Sequence, residues 1–96
     1  MSESKSTFES TTGGVMTVKV GAITGEMEIS TTPKDGSVEV RVRYLGAEEW
    51  YTVEGSPAAT PLRENDCHRR VVEILTTPGQ KRGFNEEPVA LPDEIA

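Results

Sequence analysis

The sequence predicts an α+β fold: a four-stranded antiparallel meander (ββββα) with one C-terminal helix packed on its apolar face. Three observations carry that expectation. Residues 38–44 alternate apolar and charged side chains without exception. Glycine- and proline-marked turns separate that stretch from apolar neighbours on either side. Residues 62–76 then carry apolar side chains at helical spacing.

Residues 1–14 are rich in Ser, Thr and Glu and end in Gly13-Gly14, a composition expected of a flexible arm. The first strand is placed at residues 15–20, with Met16, Val18 and Val20 inward. The second spans 23–30, with Ile23, Met27 and Ile29 inward. The third is the anchor. In Ser-Val-Glu-Val-Arg-Val-Arg-Tyr, Val38, Val40, Val42 and Tyr44 alternate with Glu39, Arg41 and Arg43, the period of a strand with one face on a core. The fourth covers 48–54, with Tyr51 and Val53 inward.

Gly21-Ala22 and Gly46-Ala47 fit two-residue turns, and Pro33 to Gly36 fits a four-residue loop. With those turns Ile29 falls opposite Val40, Met27 opposite Val42, and Val42 opposite Tyr51. The apolar residues then share one face.

Thr60-Pro61 supplies a helix cap and a first-turn proline. The helix that follows, residues 62–76, presents Cys67, Val71, Ile74 and Leu75 as its apolar stripe. Pro78-Gly79 stops it, so the ordered domain is expected at 15–77. Residues 78–96 read as an acidic, proline-containing tail. Within it Val89, Leu91 and Ile95 suit either an unstructured tail or a recognition segment that adds a strand to an edge.

Ten basic residues stand against sixteen acidic ones, a net charge of −6, with no basic block. That balance argues against non-specific binding to nucleic acid and against anionic membranes. A single cysteine, Cys67, permits neither an intramolecular disulfide nor a thiolate metal cluster. The sequence offers no apolar run of signal-peptide or membrane-spanning length, and a cytoplasmic location is expected. No cofactor and no metal are expected.

The meander's solvent face carries the main candidate site. Two cross-strand rows are expected there, Thr17–Glu26–Arg43–Trp50 and Val15–Glu28–Arg41–Thr52. Trp50 and Val15 would anchor a protein partner, with Arg41 and Arg43 setting the register of its carboxylates. The structural alternative lays Arg43 on the indole while Glu26 and Glu28 neutralise the two arginines.

Cys67 and His68 are neighbours in sequence, but adjacent helical positions diverge by about 100° and do not face each other. The Glu26/Glu28 pair could flank a scissile bond, yet arginines beside both would keep both ionised. The favoured class is thus a non-enzymatic protein-interaction module, acting through the face around Trp50, Arg41 and Arg43 or through an edge strand. Its partner is an unidentified protein, and the chain itself is expected as a monomer or an edge-strand homodimer. A nucleic-acid binder or acidic nucleic-acid mimic ranks second, and an enzyme using Cys67 or Glu26/Glu28 third.

Overall fold

Asp35 and Gly36 both hold positive φ, 49° and 82°, the backbone of a two-residue hairpin turn whose twist matches its strands. In this computed structural model, which describes residues 3–96, the turn joins the two longest strands of an antiparallel sheet. The elements in chain order are β1 (Ser4–Glu9), β2 (Val15–Thr17), β3 (Gly21–Ile23), β4 (Glu26–Lys34), β5 (Ser37–Tyr44), β6 (Tyr51–Thr52), β7 (Ala58–Ala59), α1 (Glu64–Thr76), β8 (Lys81–Arg82) and β9 (Asn85–Glu86). The main sheet runs β1-β4-β5-β6, with β7 also paired to β5. The α+β class is as expected, but the sheet has more than four strands.

The turn at Asp35-Gly36 is tighter than the four-residue loop read from the sequence. Lys34 faces Ser37, so Met27 pairs with Tyr44, Ile29 with Val42 and Thr31 with Val40. The register is therefore displaced by two residues from expectation. An even displacement keeps each side chain on its face and changes only its neighbour. Beyond β5 the expected register stands, with Val42 opposite Tyr51 and Arg41 opposite Thr52.

Residues 4–9, expected within an arm, instead form the strand beside β4. Ser6 faces Ile29 and Phe8 faces Met27, and Phe8 packs on the core. The segment 15–20 also departs from expectation. Thr17 Oγ1 donates to the Gly21 carbonyl at 2.6 Å and accepts the Val20 N–H at 3.2 Å. That side chain closes a hairpin between β2 and β3, with Val15 opposite Ile23. The facing is inverted as a result: Val15 and Thr17 are buried, while Val18 is 66% exposed.

This hairpin extends the sheet past β6. The Val18 N–H donates to the Thr52 carbonyl, and the Glu54 N–H to that of Met16. Residues 88–96, expected as a tail, close the same side. The Met16 N–H donates to the Val89 carbonyl, and the Val89 N–H to that of Gly14. Further along, the Leu91 N–H bonds the Glu54 carbonyl and the Ile95 N–H that of Ala59. Val89, Leu91 and Ile95 all enter the core. Gly13 lies where the chains cross, since a Cβ there would sit 2.4 Å from the Glu87 carbonyl oxygen.

The helix begins at Glu64 rather than Leu62, with Arg63 at its cap position and no side-chain cap bond. Thr60 serves elsewhere: its Oγ1 donates to the Ile95 carbonyl at 2.7 Å and accepts the Leu62 N–H at 3.1 Å. Cys67, Val71 and Leu75 are buried and Ile74 only partly so. α1 lies over β1 and β4, and the core fills the space between the helix, the sheet and residues 89–95. Among the described residues no helix is long and apolar enough to cross a membrane.

Ile95 is fully buried at a position that its sequence context assigns to a tail. Ile95→Ala should lower unfolding free energy by about 2–4 kcal/mol in denaturant melts. Val18→Ala, on the exposed hairpin, should change it by less than about 0.5 kcal/mol. Equal, small effects would mean that residues 89–95 do not contribute to the core.

Candidate functional site

The outer face of the sheet brings together part of the expected constellation. The displaced register puts Thr7, Glu28 and Arg43 in one row and Lys5, Ser30, Arg41 and Thr52 in the next. Arg43 thus meets Glu28 rather than Glu26: its Nη2 lies 2.6 Å and its Nε 2.8 Å from Glu28 Oε1. Both side chains are largely shielded, at 29% and 19% exposure, so this ion pair is the strongest on the face. The guanidinium also stacks 4.6 Å from the Trp50 ring centroid. Lys5 Nζ approaches the same ring at 5.6 Å.

Trp50 is therefore a half-buried lid held by two cations. Arg41 has lost its expected carboxylate, because Ser30 occupies that place and its hydroxyl donates to Glu3. It reaches only Glu39, two residues away on the same strand, at 3.4 Å. Between Arg41 and Trp50 lies a groove of about 280 Å³ lined by Glu39, Arg41, Trp50, Thr52, Ser56 and Pro57. Ser56 is fixed there because its Oγ accepts the Val40 N–H at 2.8 Å.

Two expected site residues fall outside this group. Val15 is fully buried through the inverted facing of β2 and cannot anchor a partner. Glu26 stands exposed at the far end of β4, opposite Glu9, where two like charges face each other. Lys5, Ser56 and Pro57 are not expected at the site from the sequence, and Glu39 is expected only as an outward-facing residue of the third strand. Lys5 had a signal, the alternation of residues 4–9 with Phe8 in phase with Ser4 and Ser6. Ser56 and Pro57 had none, since only the fold brings them beside β5.

A second polar cluster joins helix to sheet. His68 lies on the flank of α1, with Nε2 2.6 Å from Ser6 Oγ and Nδ1 2.7 Å from Thr31 Oγ1. A neutral imidazole has one donor and one acceptor nitrogen, and two hydroxyls can satisfy both. Burial pushes the His68 pKa below its ordinary value. Cys67 faces the core, and burial raises its thiol pKa against a smaller lowering by the Thr60 hydroxyl. The neighbouring thiol and imidazole thus serve separate surroundings, and the pair has no nucleophile–base geometry.

On the helix surface Arg69 pairs with Asp66 at 2.7 Å, and Arg70 with Glu73. Among the described residues no group of three or more His, Cys, Asp or Glu side chains could hold a metal ion. Protein-family models, curated proteins and solved structures were compared with the chain, and none matches it.

The lowered His68 pKa has a definite consequence for stability. Below the ordinary value of 6.5 the unfolded chain binds a proton that the folded one resists. Stability from this residue is therefore present above that pH and lost as pH falls towards the folded-state pKa. Between about pH 7.5 and 5.5 the thermal midpoint should fall further for the native protein than for His68→Gln. Parallel pH profiles of the two midpoints would refute the assignment.

Proposed function

We propose that this protein is a non-catalytic interaction module that docks a protein partner on the outer face of its sheet. An acidic side chain of the partner enters the groove between Trp50 and Pro57 and meets Arg41. The observation that carries this reading is the contrast between the two arginines of β5. Arg43 is shielded and committed to Glu28, whereas Arg41 is half exposed and borders the groove with only a 3.4 Å contact to Glu39. A carboxylate entering there gains a guanidinium without first displacing a strong ion pair.

Trp50 supplies the apolar wall, already immobilised by Arg43 and Lys5. Preorganised aromatics of this kind concentrate binding energy at interfaces. The chain's net charge of −6 leaves nucleic acid a poor partner for the same face.

Selection of a displayed random-peptide library on the protein tests this reading. Selected peptides should be enriched in Asp or Glu, and Arg41→Glu should weaken them at least ~10-fold, about 1.4 kcal/mol. Lys34→Glu, beside the distant β4–β5 turn, should leave their affinity unchanged. Peptides lacking acids, or binding that survives Arg41→Glu, would overturn the reading. A gel-shift assay with single- and double-stranded nucleic acid should show no retardation at physiological salt; a shift that Arg41→Glu abolishes would favour the nucleic-acid alternative.

A further inference from the structure

We infer that β1 is a self-association edge, pairing antiparallel with the β1 of a second copy of this chain across a two-fold axis at Thr7. The two sides of the main sheet are treated differently. Past β6, the backbone is met by residues 16–18 and then by residues 89 and 91. β1 ends the sheet on the other side, and among the described residues no segment pairs with its outward edge.

The hydrogen-bond phase identifies which groups point outward. The Ser10 N–H donates to the Gly25 carbonyl at 2.9 Å, and the two residues continue the ladder in which Glu9 faces Glu26. Bonded pairs alternate in an antiparallel ladder, so Ser4, Ser6 and Phe8 turn their backbone groups to β4. Lys5, Thr7 and Glu9 turn theirs outward. On β4's other side the Leu45 N–H meets the Glu26 carbonyl, which assigns β4's even residues to β5 and leaves its odd ones for β1.

One register suits both the backbone and the charges. With Thr7 opposite the copy's Thr7, Lys5 falls opposite the copy's Glu9 on either side of the axis. The Thr7–Thr7 pair and the two Lys5–Glu9 pairs each exchange two backbone bonds through groups that β4 does not use. The core faces of both copies remain on the same side, with Ser6 opposite the copy's Phe8. Glu9 faces Glu26 within its own chain, and among the described residues neither carboxylate forms an ion pair. The copy's Lys5 would bring a cation to that pair. Lys5 can turn to it, since its ion pair with Glu3 is long, 3.8 Å, and about half exposed, and at 5.6 Å it is the looser of the two cations on Trp50. A register displaced by two residues, with Ser6 on the axis, would instead set Glu3 against Glu9. The edge has little else to prevent pairing, because residues 4–9 contain no proline and form a regular strand.

Analytical ultracentrifugation of the full chain decides this. A small edge interface should give a dimer with a dissociation constant of roughly 10–100 μM. Thr7→Pro removes an outward N–H without removing a bond to β4, and should raise that constant at least ~10-fold with the thermal midpoint preserved. Lys5→Glu should do the same by facing two carboxylates, and the double exchange Lys5→Glu with Glu9→Lys should restore the dimer. The charge exchanges decide the matter if the proline variant fails to fold. A native protein that stays monomeric at about 1 mM, or a dimer indifferent to these exchanges, would overturn the inference. Peptide binding is read separately through Arg41→Glu, with Thr7→Pro rather than a Lys5 variant as the shared control because Lys5 also touches Trp50, so either proposal can fail alone.

Discussion

Asp35 and Gly36 close β4 on β5 with Lys34 facing Ser37, and the side chains on both faces follow from that one closure. On the core face it stacks Met27, Ile29 and Thr31 against Tyr44, Val42 and Val40. On the outer face it delivers Glu28 to Arg43 and leaves Arg41 beside Ser30. A turn longer by two residues would set Glu28 against Arg41 and Glu26 against Arg43 while keeping every core residue on its face, because strand side chains alternate with period two. The core therefore tolerates a displacement that the outer surface does not.

Legibility in the sequence follows the same division. Residues 38–44 announce their facing because both faces are chemically pure, valines and a tyrosine against charges. Residues 15–20 mislead for the opposite reason. Val15, Met16, Val18 and Val20 supply apolar candidates in both phases, and a threonine hydroxyl decides between them. β1 offers one apolar residue in phase, Phe8, too little to distinguish a strand from an arm. Val89, Leu91 and Ile95 lie among prolines and acids and are ordered by bonds to Gly14, Met16, Glu54 and Ala59, contacts that no local pattern reports. Of the candidate site, the Trp50–Arg43 stack was readable from facing alone. Its carboxylate partner depended on turn length and was not.

The outer face and the helix interface use polarity differently. At Arg43, Glu28 and Trp50 the charges are spent on one another and hold the indole in place. At His68, two strand hydroxyls satisfy a ring whose charged form burial disfavours, so β1, β4 and α1 meet through a polar joint beside a largely apolar layer. Such a joint specifies relative position more than it adds stability, since each neutral hydrogen bond contributes only about 1 kcal/mol net. It also fixes β1 laterally, and with it the edge that β1 presents.

Residues 89–95 cross-link early and late parts of the polypeptide, through Val15 and Val89 at one site and Ala59 and Ile95 at another. During synthesis the hairpin at Asp35-Gly36 can form as soon as its own strands emerge, because it needs only local contacts. The layer beneath the helix cannot be completed until more than seventy further residues of separation have been bridged between Val15 and Val89. On the ribosome the nascent protein would therefore hold no more than a marginal hairpin above an unfinished interior, and its apolar surface would be covered only once residues 89–95 have emerged.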